Sequence, residues 1–148
     1  MKVILIVFIM LMFISLAIFV YYRYLVRYRL FKDSEYIARF IKNNINFNKN
    51  NVNNLILSAC SNVSNITRNI FCSDSSSIMI KKNDIEFIRQ FINSLGKGDV
   101  DYEINNIKYY ETVFNEYKNT AHEHLKNNGL MYLKLIIGIG LAVVIIII

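Results

Sequence analysis

Few residues in this chain combine the types and the spacing that chemistry requires. The segment AHEH at residues 121–124 comes closest to a metal-binding motif, since it places two histidines around a glutamate. A zinc-protease helix, however, spaces its histidines four residues apart so that both lie on one face. Residues two apart on a helix point to different sides. We therefore interpret this segment as a charged helix surface.

Two other segments also fail to form a reactive site. The sequence LGKGD at residues 95–99 contains Gly-x-Gly and a lysine, but it follows a predicted helix and lacks the rest of a phosphate-binding loop. Cys60 and Cys72 belong to no Cys-x-x-Cys pair and have no ligand residues at metal spacing around them. We predict that the chain is not an enzyme and that it uses no cofactor and no metal.

The elements that position these residues begin and end with apolar segments. Val3 to Tyr22 is uncharged and long enough to cross a hydrocarbon core of roughly 30 Å. A cleaved signal peptide is the alternative, but this run exceeds the usual apolar length and lacks a small-x-small cleavage pattern. The second segment contains Lys134, whose charged end can reach the headgroups along its apolar stem. We predict transmembrane helices at residues 1–22 and 129–148.

A basic stem, residues 23–32, follows the first apolar segment. Its four cations are expected at the membrane surface: Arg23, Arg27, Arg29 and Lys32. The chain carries a charge of +7 up to Cys72 and −1 from Ser73 onward, which sums to the formal +6. Anionic headgroups explain such a juxtamembrane cluster better than nucleic acid, which would require basic residues and aromatic platforms on a folded face. We predict contact with membrane lipids and not with nucleic acid.

The same basic residues predict the orientation, because lysine and arginine next to a span resist translocation. The stem cations follow the first span, and Lys126 and Lys134 precede most of the second, which has no basic residue after it. Only Lys2 precedes the first span. The middle of the chain is therefore expected in the cytosol, where its two cysteines stay reduced, with both termini on the outer side.

Between the spans, apolar residues recur at helical spacing. Asp33 is a predicted N-cap of a helix that ends in a turn at residues 46–51. A second helical run extends from Val52 to Ile70, with Cys60 as a core residue, and residues 73–77 form a predicted loop. The class is therefore all-α: a small cytosolic helical domain, residues 33–128, held between the two transmembrane helices.

The second half of that domain shows clearer helix boundaries. Asn83 with Glu86 resembles a capping arrangement, and Gly96 is expected to end that helix in the left-handed conformation. Asp99 is a predicted N-cap of a long last helix, and residues 127–129 predict a break or bend before the second span. An apolar face on these helices is a candidate core or partner surface, formed by Phe91, Leu95, Phe114 and Tyr117.

The second span contains a candidate packing groove. Gly138 and Ala142 are four residues apart, so both lie on one side of a helix and leave room for another backbone. Gly140 lies about 200° around the helix from Gly138 and does not share that groove. The groove predicts pairing either with Val3–Tyr22 or with the span of a partner.

Several of these features occur together in a known family. The chain resembles the stage III sporulation protein AB family of endospore-forming Firmicutes over about its last sixty residues. The matching positions are Leu95-Gly96, Asp99, Asn128-Gly129, Met131-Tyr132 and Gly138/Gly140. Over the first seventy residues only the layout is similar: a span, a basic stem, then helices. The family usually has a Thr-Pro-Leu-type turn after its first soluble helix, whereas this chain has no proline.

The resemblance implies a role in the trans-envelope complex between mother cell and forespore, in the outer forespore membrane. Proteins of this family resemble the platform protein of secretion systems and are expected to couple a cytosolic secretion-type ATPase to other membrane proteins of the complex. A holin-like or pore-forming two-span protein is the alternative.

Overall fold

The computed structural model describes residues 2–45, 52–73 and 79–147, and these ranges contain helices and turns but no strand. The helices are α1 (Lys2–Asn44), α2 (Val52–Cys60), α3 (Asn65–Cys72), α4 (Lys82–Ser94), α5 (Val100–His124), a π-helical segment (Leu125–Gly129) and α6 (Leu130–Ile147). The all-α prediction is confirmed. The predicted turn at residues 46–51 and most of the predicted loop at residues 73–77 lie outside the described ranges.

The first helix is a single rod of 43 residues. At 1.5 Å per residue it is about 65 Å long, and it passes through Asp33, so the N-cap predicted at that residue is wrong. The apolar segment, the basic stem and the first helix of the domain are one element because neither glycine nor proline occurs between residues 3 and 44.

A second long helical element, formed by α5, the π-helical segment and α6, runs antiparallel to α1. Near one end, the position of a Cβ on Gly140 lies 3.0 Å from Phe13. Farther along, the rings of Tyr28 and His122 are 5.2 Å apart. At residues 127–129, where a break or bend was predicted, no break occurs, since the chain stays helical and widens into a π turn.

Gly129 explains why the helix pair stays close at the π turn. The glycine is buried, and a Cβ there would lie 3.6 Å from the side chains of both Tyr21 and Tyr24 on α1. A methyl group would fit at this ordinary van der Waals distance, but a longer side chain would meet the two tyrosines. The glycine that predicted a break therefore allows close helix packing at this level.

We call residues 23–44 of α1 together with α5 the polar half of this pair, and the rest the apolar half. The three short helices pack against the polar half and form a core with it. The largest completely buried side chains include Phe31, Phe91 and Phe114. The single run predicted from Val52 to Ile70 is instead two helices, with a turn at residues 61–64. Ser64 caps α3, where its hydroxyl accepts a hydrogen bond from the backbone N–H of Thr67.

The remaining helix ends agree only partly with the ends predicted from the sequence. The Asp99 carboxylate accepts a hydrogen bond of 2.9 Å from the backbone N–H of Tyr102, which confirms the predicted cap of α5. Gly96 has φ +79°, which confirms the predicted left-handed residue after α4. The capping arrangement predicted at Asn83 is wrong, because the N-cap of α4 is Lys81, which makes no side-chain capping hydrogen bond.

Two helical stretches are long and apolar enough to cross a membrane by length and composition. Their most apolar windows, in 4–44 and 100–146, have mean hydropathies of 3.0 and 2.4. Only 6% and 11% of these windows are buried within the protein. The core helix of a soluble domain would be mostly buried, so these two surfaces are suited to a lipid environment.

Candidate functional site

The basic stem lies at the junction between the apolar and polar halves of α1. Arg23, Arg29 and Lys32 are exposed there, as expected of membrane-surface residues. Arg27 is different, because its guanidinium donates hydrogen bonds of 2.7 and 3.1 Å to the Asp84 carboxylate. This ion pair joins α4 to α1, and the membrane-surface role of Arg27 stays a prediction. No sequence signal pointed to its partner 57 residues away.

A network of charged groups joins the polar half of α1 to α5. Glu111 accepts hydrogen bonds from Arg39 and Lys42, and Glu35 accepts one of 2.7 Å from Lys118. Burial raises the pKa of the Glu111 carboxyl, but the hydrogen bonds from Lys42 and Arg39 outweigh it and hold this pKa below its ordinary value. The hydrogen bond to Glu111 also raises the pKa of Arg39. This network fixes the register of the two helices.

The predicted apolar face divides into core and surface. Phe91 and Phe114 are completely buried, with ring centroids 5.3 Å apart. Leu95 is half-buried at the end of α4. Tyr117 packs its ring against Phe31 yet remains 38% exposed. The phenylalanines are therefore core residues, whereas Leu95 and Tyr117 reach the surface in part.

The cysteines and histidines do not converge on one site. Cys60 is buried, as predicted, and burial together with a hydrogen bond to Cys72 raises its pKa to about 12. Cys72 is exposed. His122 packs against Tyr28, whereas His124 forms a 3.2 Å hydrogen bond with Asn128. Within the described residues, no cluster of three or more His, Cys, Asp or Glu side chains could hold a metal ion.

The glycines of α6 face different surroundings. Gly140 is buried against Phe13, whereas Gly138 and Ala142 are exposed. A Cβ on Gly138 would meet no atom within 4 Å. The prediction that the Gly138–Ala142 groove packs against the first span is wrong, because that groove faces away from α1. Pairing of the groove with a partner's span stays a prediction.

Comparison with known proteins identifies the family and gives no individual relative. No curated protein and no solved structure matches the chain. The family model for stage III sporulation protein AB matches residues 59–148, which include α3 to α6 and more than half of the chain. The match begins well before the last sixty residues on which the resemblance was based. The chain therefore belongs to the stage III sporulation protein AB family.

Proposed function

We propose that this protein is a membrane-anchored adaptor of the complex that spans the envelope between mother cell and forespore. In this role it couples a cytosolic secretion-type ATPase to membrane partners, as the platform protein does in secretion systems. Family membership supports a function in sporulation. The two apolar helical stretches support membrane anchoring.

One structural observation argues most directly for coupling. Both long helical elements run without interruption from the apolar half into the polar half of the protein. Their far end is formed by the end of α1 at Asn44, the end of α4 at Ser94 and the start of α5 at Val100. A force or displacement applied at this tip is transmitted to the apolar half through continuous helix and a packed core, with no flexible linker between them.

The outer face of α5 is the surface we assign to the ATPase. Tyr102 and Tyr109 are seven residues apart and therefore lie on one stripe of the helix. They are 57% and 61% exposed. Tyrosine is enriched in protein–protein interfaces because it buries a large rigid ring and keeps a hydroxyl for hydrogen bonding. Tyr117 lies about 80° around the helix from Tyr109 and packs against Phe31, so it borders this stripe and is not part of it.

The proposed orientation places the polar half in the cytosol and both termini across the membrane. Exposed Arg23 and Arg29 follow the apolar half of α1, and exposed Lys126 and Lys134 precede most of the apolar run of α6. Cations in these positions favour the cytosolic side. The outer forespore membrane is the location that family membership suggests.

Co-purification of the sporulation ATPase with the full-length protein in detergent tests the adaptor function. We expect the wild type to retain the ATPase, and Tyr102→Ala with Tyr109→Ala to retain about tenfold less, as loss of interface aromatic residues commonly causes. The matched control replaces two exposed residues elsewhere, Tyr36→Ala with Leu57→Ala, and should retain it fully.

Two results would count against this proposal. If the wild-type protein does not retain the ATPase at all, the adaptor function is wrong. If the tyrosine variant and the control bind equally well, the docking surface lies elsewhere. Ion conductance by the purified protein alone in planar bilayers would instead favour the pore-forming alternative.

A further inference from the structure

A cleft opens at the junction of the apolar and polar halves, between α1, the π-helical segment and the residues that precede α4. We call it the junction cleft, and its volume is about 320 Å³. Its polar lining is formed by Arg23, Tyr24, Arg27, Lys81, His124 and Asn128. Val20 and Met79 supply apolar surface. Residues distant in sequence therefore meet here, and the stem alone does not predict the site.

The charges in the junction cleft favour an anion. Arg23 and Lys81 are exposed cations, whereas Arg27 is already neutralised by its ion pair with Asp84. Among the described residues, no carboxylate lines the cleft. Two cations thus remain to balance a negative ligand, and the amide of Asn128 and the phenol of Tyr24 add hydrogen-bonding groups beside them.

Two other clefts beside α1 lack this combination. A cleft of about 510 Å³ is lined by three cations, Lys32, Arg39 and Lys118, but the carboxylates of Asp33 and Glu35 line it as well. A smaller cleft of about 200 Å³ is lined by a single cation, Arg29. The basic stem therefore has cations on several sides, and of these three clefts the junction cleft is the one that combines two cations beyond Arg27 with no carboxylate among its described lining residues.

The position of the junction cleft matches the structure of a lipid. Val20 belongs to the uncharged run that ends at Tyr22, and the cations begin one residue later at Arg23. The cleft therefore lies where acyl chains give way to headgroups if α1 crosses the membrane. Basic pockets between helices at this level are a common way to bind anionic headgroups.

We propose that the junction cleft binds the phosphate group of a small organic phosphate, of the kind that an anionic phospholipid presents at its headgroup. Arg23 and Lys81 pair with the phosphate, and Val20 and Met79 contact the adjoining apolar chain. Such a ligand bridges α1 and the residue that precedes α4, and thus links the apolar half to the packed domain. This inference rests on the membrane anchoring proposed above and not on the ATPase contact.

Binding of dioctanoyl-phosphatidylglycerol to the full-length protein in a neutral detergent tests the proposal. We expect Arg23→Gln with Lys81→Gln to weaken binding about tenfold or more, since each cation near an anionic lipid contributes appreciably to affinity. Lys97→Gln with Lys108→Gln removes the same charge from two exposed lysines of the polar half that line none of these clefts, and is the matched control. It should leave binding within about twofold of the wild type, a difference that corresponds to under 1 kcal/mol.

Three further probes identify the source of the phosphate and can overturn the proposal. If glycerol 1-phosphate or inorganic phosphate competes with the lipid, the ligand is a soluble phosphate. If neither competes, the ligand is a lipid. Dioctanoylglycerol, which has no phosphate, should bind weakly. Equal binding of dioctanoylglycerol, or equal losses in the cleft and control variants, would refute the site. If circular dichroism shows that the double variant does not fold, the single variant Lys81→Gln gives the same test, because Lys81 precedes α4 and its replacement leaves the helices intact.

Discussion

Single polar side chains on α1 attach the short helices to the long one. The Asp33 carboxylate accepts hydrogen bonds of 3.1 and 2.7 Å from the backbone N–H and the hydroxyl of Ser64, and one of 2.8 Å from the hydroxyl of Thr67. Arg27 binds Asp84 in the first turn of α4. A hydrogen bond to a charged group contributes about 1.5–3 kcal/mol, so these contacts orient α3 and α4 as well as stabilise them.

The aromatic core provides the clearest test at a single position. Phe114 is completely buried and packs against the rings of Phe31, Phe87 and Phe91. We expect Phe114→Ala to lower the free energy of unfolding by about 3–5 kcal/mol, because it leaves a large cavity among these rings. Chemical unfolding of the full-length protein in detergent, followed by circular dichroism, measures the change.

Tyr109→Ala is the matched control for this substitution. It removes an aromatic ring from the same helix, but the Tyr109 side chain is 61% exposed, so the loss should be small. If Phe114→Ala unfolds with the same midpoint as the wild type, the ring is not part of a packed core.

Contacts that are local in sequence could be predicted, and contacts between distant residues could not. The Asp99 cap and the left-handed Gly96 each depend on neighbours a few residues away, and both were predicted correctly. Asp33 has the right residue type for an N-cap, but its partner Ser64 lies 31 residues later and caps another helix. The same limit applies to Arg27, whose charge predicted a membrane surface and whose partner is Asp84.

The charged network around Glu111 holds the two long helices together in the polar half. Its pKa lies below the ordinary value of 4.5 because hydrogen bonds from Lys42 and Arg39 outweigh the effect of burial. The folded carboxyl stays charged at pH values where the unfolded carboxyl has taken up a proton. The unfolded state therefore binds more protons below about pH 4.5, and stability falls as the pH falls through this range.

Glu111→Gln should remove this part of the pH dependence. We expect the variant to be less stable than the wild type at pH 7, where the unfolded and folded carboxyls are both charged and the ion pairs contribute fully. The difference should shrink toward pH 3. Unfolding midpoints of both proteins at pH 7, 5 and 3.5 measure it, and exposed Glu116→Gln on the same helix is the control. A constant difference at every pH would contradict the role assigned to this carboxylate.

Gly140 controls how closely α6 approaches α1 in the apolar half. A Cβ there would lie 3.0 Å from the Cβ and Cγ atoms of Phe13, closer than most real contacts. We expect Gly140→Ile to separate the two helices and to lower the unfolding temperature in detergent by several degrees. Gly138→Ile should have little effect, since that position is open and glycine is a poor helix former. Equal losses in the two variants would show that Gly140 has no special packing role.

The length of α1 follows from the absence of helix-ending residues in its sequence. Charge and composition divide residues 2–44 into a span, a stem and a domain helix. No glycine or proline lies between residues 3 and 44, however, so the helix does not end at either boundary. The boundary predicted at Asp33 was therefore wrong even though its local pattern was reasonable. The opposite error occurred at residues 61–64, where the apolar spacing continues but Ser64 begins a new helix.

The molecule as a whole is a long antiparallel helix pair with a packed domain on its polar half. The pair is bound at several levels along its length: Gly140 against Phe13, Gly129 against Tyr21, and Glu111 with Arg39. These contacts span both the apolar and the polar half. The protein should therefore transmit the position of its tip to its apolar half, which is the property that the proposed adaptor function requires.

The orientation of this rod can be tested with a native cysteine. Cys72 is exposed on the polar half, whereas Cys60 is buried and its pKa of about 12 keeps it protonated and unreactive at neutral pH. In sealed bacterial cells that express the full-length protein in the plasma membrane, a membrane-impermeant maleimide should not label Cys72. It should label a cysteine introduced by Lys2→Cys in a Cys72→Ser background. Permeabilised cells, in which Cys72 must become reactive, supply the control. Labelling of Cys72 in sealed cells would place the polar half outside the cytosol, across the membrane from a cytosolic ATPase, and would contradict the proposed orientation.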